Sequence, residues 1–97
     1  NIEELARIKI NQIIEDKIND FADHYKVDVD DLIFYTSNYK DKQENSKPLG
    51  EDDLIKNADK NAYNEASGEE ISLLRYRKMI RTAAARFVEE EVLPYLD

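Results

Sequence analysis

The sequence predicts an all-α protein: a small bundle of about four helices, two long ones at the ends of the chain and two short ones between them. Apolar residues recur at three- and four-residue intervals over long stretches, which is the spacing of one helix face. The 97 residues include only two Gly and two Pro, so the chain has few turns. Apolar residues make up 41% of the chain, enough for a folded core.

The first helix is predicted over residues 2 to about 25. Ile8 lies off its apolar stripe, so we expect it to be exposed or to contact another chain. The length of 97 residues predicts a single domain over residues 1–97. Because the chain has no initiator Met and opens directly inside this pattern, we expect it to be cut from a longer polypeptide. The stripe consists of residues at helical spacing: Ala6, Ile10, Ile13, Ile14, Ile18, Phe21 and Tyr25.

The second helix is predicted over residues 29 to 37, after a break near Lys26–Val27. Asp28 lies three residues before Asp31, which is the spacing of an N-cap. A calcium loop is the alternative, but the EF-hand pattern needs a Gly at its sixth position, and none follows here. We therefore favour capping. The residues expected to be buried are Val29, Leu32, Ile33 and Tyr35.

A polar segment over residues 38–50 predicts a loop, and a third helix follows over residues 51 to 62. The last and longest helix is predicted over residues 68 to 93, because Ser67 and Glu70 match a capping box. Pro94 either ends this helix or shifts it to a last turn. We expect the two long helices to pack together. The inward residues of the third and fourth helices are Leu54, Ile55, Ala58, Ala62, Leu73, Tyr76, Ile80, Ala83, Ala84 and Phe87.

The last helix carries five basic residues and no acid between Arg75 and Arg86, although the net charge of the chain is −8. Helical periodicity places Arg75, Lys78 and Arg86 on one flank of the apolar stripe. It places Arg77 and Arg81 on the other flank. They could pair with acids of this chain or of a protein partner, or they could contact phosphates. We favour pairing. The candidate interaction surface is Arg75, Arg77, Lys78, Arg81 and Arg86.

The residues predict no catalytic site, cofactor site or metal site. The chain has no Cys and a single His, His24, which we interpret as a surface residue. Phosphate-binding and dinucleotide-binding glycine motifs are absent. No apolar run approaches the roughly 20 residues that span a bilayer. We therefore expect a cytoplasmic protein with no membrane partner.

Two further patterns bear on partners. The spacing between Ile18 and Tyr35 is that of a helix-turn-helix, but the second helix carries Asp28, Asp30 and Asp31 where a DNA reader needs basic or amide side chains. This disfavours major-groove reading.

Six tyrosines are many for this length, and we interpret them as boundary residues of a bundle rather than as partner contacts.

Three stretches, taken in order, resemble the far C-terminal helical region of the R subunit of type I restriction enzymes. They are DFADHYKVDVDDLIFYTSNY (20–39), LGEDDLIKNADKNAY (49–63) and RYRKMIRTAAARFVEEEVLPYL (75–96). The resemblance implies a parent protein that is an ATP-driven DNA translocase and site-specific endonuclease, with its motor and nuclease motifs upstream. It implies that this domain docks the R subunit onto the methyltransferase core.

We therefore expect a non-catalytic assembly domain whose partner is that methyltransferase core, with nucleic acid reached through the parent complex. A direct DNA binder using the last helix is one alternative, and a small protein-binding module of another kind is a second. A third is a free-standing acidic inhibitor that mimics DNA, in which carboxylates replace phosphates: Asp23, Asp28, Asp30, Asp31, Asp52 and Asp53.

Overall fold

The computed structural model describes residues 1–96, which contain helices and no strand. The last three helical elements are continuous, and we call them together the C-terminal helix. The prediction of a small all-α bundle with a long first and a long last helix is confirmed. The elements in chain order are α1 (Ile2–Tyr25), α2 (Val29–Ser37), α3 (Glu51–Lys56), α4 (Lys60–Ser67), α5 (Leu73–Phe87), a π-helical segment (Val88–Val92) and α6 (Leu93–Leu96).

The second half of α1 packs antiparallel to the C-terminal helix, as expected for the two long helices. The rings of Phe21 and Phe87 lie 4.8 Å apart between centroids. Four residues earlier in α1, Lys17 Nζ contacts Glu91 Oε2 at 2.6 Å, four residues later in the C-terminal helix. The remaining helices complete the core. Its fully buried members are Leu32, Tyr35, Leu54, Tyr76, Ile80, Ala84, Val88 and Val92.

Tyrosines form much of this core. Tyr35 and Tyr76 are fully buried, and Tyr39 is buried as well. The Tyr76 hydroxyl donates to the backbone carbonyl of Tyr25, which joins α5 to the end of α1. The predicted burial of Tyr35 and Tyr76 is therefore confirmed, whereas the interpretation of the tyrosines as boundary residues is wrong for Tyr39. Amphipathic rings can be buried when the hydroxyl finds an acceptor, and Tyr76 has one.

The first half of α1 extends away from the core. Ile2, Leu5 and Ile8 are 84%, 67% and 62% exposed, so the expectation of an exposed Ile8 is confirmed. Ala6 is exposed too, and its expected burial is wrong. The reason is the register of the two long helices: they are antiparallel with Lys17 opposite Glu91, so the described part of the C-terminal helix, which ends at Leu96, leaves the start of α1 uncovered. The molecule is accordingly elongated, 50 × 34 × 19 Å.

The start of α2 confirms the capping interpretation. Asp28 Oδ1 accepts a hydrogen bond of 3.1 Å from the backbone N–H of Asp31. Leu32 is buried as predicted, whereas Val29 and Ile33 are 38% and 44% exposed, so their expected burial is wrong. The pattern identified the right face, but the neighbouring helices cover only its centre.

The predicted third helix is broken into two. α3 ends at Lys56, and Asp59 begins α4, because its side chain accepts a 3.0 Å hydrogen bond from the N–H of Ala62. The backbone N–H of Asp59 also donates to the carbonyl of Lys26 at 2.8 Å. This bond holds the break between α3 and α4 against the end of α1.

The predicted start of the last helix is wrong by five residues. Ser67 ends α4, and Gly68 terminates that helix with a left-handed backbone, φ +77°. The cap of α5 is Ser72, whose hydroxyl accepts a 3.2 Å hydrogen bond from the N–H of Arg75. Leu73 consequently lies in the first turn and is 44% exposed instead of buried.

The C-terminal helix continues past Pro94 through one widened turn. In a regular α-helix the ring of Pro94 would clash with the carbonyl of Glu90, and that carbonyl would lose its donor. Just before the proline the helix becomes π-helical, and the N–H of Leu93 bonds to the carbonyl of Val88. Of the two expected outcomes at Pro94, the last turn is the one observed.

Candidate interaction surface

The exposed side of α5 carries the basic residues on two flanks of its buried stripe. Arg75, Lys78 and Arg86 lie together on one flank, and Arg77 and Arg81 lie on the other, as helical periodicity predicts. The flank with three cations forms a shallow depression of about 480 Å³. We call it the basic face; its residues are Arg75, Lys78, Met79, Thr82, Ala83 and Arg86.

Two cations of the basic face have no internal counter-ion. Arg75 and Lys78 are exposed, and neither makes an ion pair with residues 1–96. Arg86 differs, because its Nε lies 3.7 Å from Glu90 Oε2 one turn later. The side chains of this pair are mostly solvent-exposed, so the pair contributes little to stability. Within the basic face, Arg75 and Lys78 are therefore the cations most available to a partner.

The floor of the basic face is apolar. Met79 and Ala83 are half-buried and lie one turn apart on the side of α5 that approaches the core. The hydroxyl of Tyr63, on α4, donates to Met79 Sδ at 3.6 Å. α4 thus borders the floor, and the face offers both charge and apolar contact area.

On the opposite flank, Arg81 pairs with an acid of the same chain. Arg81 Nε lies 3.8 Å from Glu51 Oε2, and Glu51, at the start of α3, is only 6% exposed. The guanidinium therefore supplies a counter-charge to a buried carboxylate. Arg77 is half-buried, and its Nε has no hydrogen-bond partner in the part of the chain that the structure describes.

The hydroxyls of the core tyrosines have strongly raised pKa values. Burial raises the pKa of Tyr39 to about 12, with a further contribution from its hydrogen bond to Glu89. Burial likewise raises the pKa of Tyr76 to about 12, and it raises the pKa of Tyr35 further. A hydroxyl whose pKa is raised this far is protonated near pH 7 and is a poor general base.

His24 lies at the surface, as interpreted from the sequence. Its ring meets the ring of Tyr25 edge-on at 4.6 Å, and that of Tyr63 at 6.2 Å. Asp23, next to it in the chain, pairs instead with Lys26 at 3.6 Å. Among residues 1–96, no three His, Cys or acidic side chains come together as a metal site would require.

Most acids of the proposed DNA mimic already have partners. Asp52 pairs with Lys47 at 3.1 Å, and Asp31 Oδ2 accepts a 2.9 Å hydrogen bond from Asn57. Asp28 is occupied as a helix cap, and Asp23 pairs with Lys26 as described above. The two lysines partly neutralise the acids at two of the six positions, which weakens the negative surface that a phosphate mimic needs.

Sequence reasoning missed an apolar groove of about 330 Å³ between α1, α2 and the end of the C-terminal helix. Ile14, Ile33, Val92 and Leu96 line it. The sequence placed Ile33 in the core, and only the path of the chain beyond Pro94 brings Leu96 beside it. The apolar character of Leu96 was the one available signal.

Comparisons with protein-family models, curated proteins and solved structures find no match for this chain. Within the described residues, no helix combines the length and the apolar character needed to cross a membrane.

Proposed function

We propose that this chain is a non-catalytic helical domain that docks onto a protein partner through its basic face. The main support is the pair Arg75 and Lys78, which are exposed, one turn apart, and without an acidic partner among residues 1–96. The rest of the chain is strongly acidic, with a net charge of −8 overall. A local positive surface on an acidic protein steers and orients an acidic partner.

The partner that we propose is the methyltransferase core of a type I restriction complex, with this chain as the C-terminal helical domain of the R subunit. The resemblance of residues 20–39, 49–63 and 75–96 to that region supports this assignment. The domain would contribute assembly, while DNA translocation and cleavage belong to the rest of the parent protein. The complex would work in the cytoplasm and reach nucleic acid through its other parts.

The distribution of acids favours a protein partner over direct binding of duplex DNA. Glu69 and Glu70 precede the basic face in the chain, and Glu90 lies one turn after Arg86 at its far end. Duplex DNA carries a phosphate charge about every 1.7 Å along its axis, so a duplex that continued along the helix past Arg86 would also meet the carboxylate of Glu90. A protein surface can place its acids opposite the cations alone.

Charge reversal tests the proposal. The variant carries Arg75→Glu and Lys78→Glu, and its matched control carries Lys9→Glu and Lys56→Glu. Lys9 and Lys56 are exposed and make no ion pair within residues 1–96, so the control has the same change in net charge. The readouts are binding to the purified methyltransferase core by calorimetry, and helicity by circular dichroism.

We expect the variant to bind the core at least about tenfold more weakly at low salt, because each rim charge turns from attractive to repulsive. Helicity and the binding of the control should stay unchanged. Equal binding by variant and control would reject the basic face as the docking surface. Binding of duplex DNA by the wild-type chain, lost in the variant and steeply dependent on salt, would favour the direct DNA binder.

A further inference from the structure

The basic face has the dimensions of one helix lying along another. All six of its residues belong to α5, from Arg75 to Arg86. At a rise of 1.5 Å per residue these two residues are roughly 16 Å apart along the axis, which is three turns. The depression is shallow and follows a single helix, so it fits an elongated element better than a rounded small molecule.

The chemistry along this face is not uniform. Arg75 and Lys78 lie at its N-terminal end, and the apolar floor of Met79 and Ala83 follows immediately. At the far end Arg86 is paired with Glu90. The unpaired positive charge is therefore concentrated in one turn, next to an apolar patch one turn long.

The apolar floor suits contact with another helix. Met79 has a flexible, polarisable side chain, and such side chains adapt to helices laid in grooves. Ala83, one turn further, is small enough for a partner backbone to approach closely. Phosphate groups gain nothing from these two side chains, because burying apolar surface needs an apolar counterpart.

We infer that the basic face binds an acidic amphipathic helix. Two carboxylates, three or four residues apart on that helix, meet Arg75 and Lys78, since residues at this spacing lie on one side of a helix. Apolar side chains in the following turn cover Met79 and Ala83. This inference rests on the proposed function and names the structural element through which the partner docks.

A pair of stapled helical peptides of about 14 residues tests it, because unstapled peptides of this length are only marginally helical in water. The first peptide carries two Glu and a Leu stripe on one side. The second is an isomer of the same composition, with the stripe moved to the opposite side. Each is titrated into the isotopically labelled chain, and amide shifts are followed by NMR.

We expect the first peptide to shift the amides of residues 75–86 and to bind about tenfold more tightly than its isomer. The Arg75→Glu, Lys78→Glu variant should lose about tenfold in affinity, and the Lys9→Glu, Lys56→Glu control should lose none. Replacing both Glu of the peptide by Lys should restore binding to the variant. Equal binding of the two peptides, or tighter binding of a 12-base-pair duplex at the same residues, would overturn the inference.

The two proposals fail in different ways. Suppose that the first peptide does not bind, while the variant still binds the methyltransferase core more weakly than the wild type. The inference of an acidic helix is then wrong, and the proposed docking role stands. If the peptide binds as expected but the core binds the variant normally, the ligand chemistry is right and the proposed partner is wrong.

Discussion

The hydroxyl of Tyr39 donates a 2.8 Å hydrogen bond to Glu89 Oε1, and this contact joins two segments fifty residues apart. Tyr39 follows the end of α2, and Glu89 lies in the π-helical segment of the C-terminal helix. The ring of Tyr39 is buried, and its hydroxyl reaches a carboxylate at the edge of the core. The bond therefore fixes the loop after α2 against the widest turn of the last helix.

We expect Tyr39→Phe to lower the free energy of unfolding by about 1–2 kcal/mol, because a hydrogen bond to a charged acceptor is lost while the ring stays packed. Urea denaturation followed by circular dichroism measures this. Glu89→Gln is the matched control, since its amide oxygen can still accept the bond, and its loss should be smaller. An equal loss in both variants would show that the contribution of this hydrogen bond depends entirely on the charge of the acceptor.

The core tyrosines predict a loss of stability in alkali. In the folded state, burial raises the pKa of Tyr39 and of Tyr76 from 10.0 to about 12. Their contribution is fully present below pH 10 and is lost as the pH rises through 12, because only the unfolded chain ionises them easily. The resulting loss is at most about 2–3 kcal/mol for each group, and it is smaller for Tyr39, whose hydroxyl is bonded to the exposed Glu89 and is partly screened by solvent.

We therefore expect the urea midpoint to fall steeply between about pH 10 and pH 12, together with a rise in tyrosinate absorbance. Tyr76→Phe removes one of these groups and should make the dependence on pH shallower, although the variant is less stable at pH 7. A midpoint that is flat over this range would contradict the burial of the two hydroxyls.

The position of the α5 cap gives a third prediction. Ser72→Ala should cost about 1 kcal/mol, because the N–H of Arg75 loses its side-chain acceptor. Ser67→Ala should cost less than about 0.5 kcal/mol, since Ser67 lies at the exposed end of α4. Thermal unfolding of both variants checks this. A larger loss for Ser67→Ala than for Ser72→Ala would indicate that the last helix begins after Ser67, as the sequence predicts.

Ser67 and Ser72 show where sequence reasoning reached its limit. Local spacing found every long helix and the buried stripe of α5, because both depend on residues three and four positions apart. The S-x-x-E pattern at Ser67 was misleading because Gly68, with its positive φ, already ends α4 there. Two helices in succession can offer the same cap signals, and only the backbone of the junction decides between them.

The basic face could be predicted in part. Helical periodicity assigned Arg75 and Lys78 to one flank and Arg81 to the other, because that assignment needs only one helix. It could not identify Glu51 as the partner of Arg81, since the contact depends on how α3 packs against α5. Nor could it foresee that Ile33 lines an open groove, which depends on where the chain runs after Pro94.

Two glycines with positive φ provide a fourth prediction. At Gly50 (φ +89°), an added Cβ would lie 2.7 Å from Cδ1 of Phe34, whereas at Gly68 (φ +77°) it would meet nothing within 4 Å. Both Ala variants incur backbone strain of about 1 kcal/mol, and only Gly50→Ala adds a steric clash. We expect Gly50→Ala to be the more destabilising by at least about 1 kcal/mol in urea denaturation. Equal losses would mean that Phe34, which is half exposed, moves aside freely.

Substitutions at Arg81 and at Lys78 should have opposite effects: the first should lower stability, and the second should weaken docking. Arg81→Met removes the counter-charge of the buried Glu51 and should lower the free energy of unfolding by about 1 kcal/mol, because half of the arginine side chain is solvated and the pair is partly screened. Lys78→Met is the matched control on the basic face, where no ion pair within residues 1–96 is lost. Its stability should stay within about 0.5 kcal/mol of the wild type.

Docking should show the opposite order. Lys78→Met should weaken binding to the methyltransferase core by several-fold, whereas folded Arg81→Met should bind normally, because Arg81 is already occupied by Glu51. Combining Arg81→Met with Glu51→Leu should recover part of the lost stability, since the carboxylate that needed a counter-charge is gone. Urea denaturation and calorimetric binding of the same preparations test both orders. Weaker docking in Arg81→Met, measured where the variant is fully folded, would extend the interaction surface to the second flank of α5.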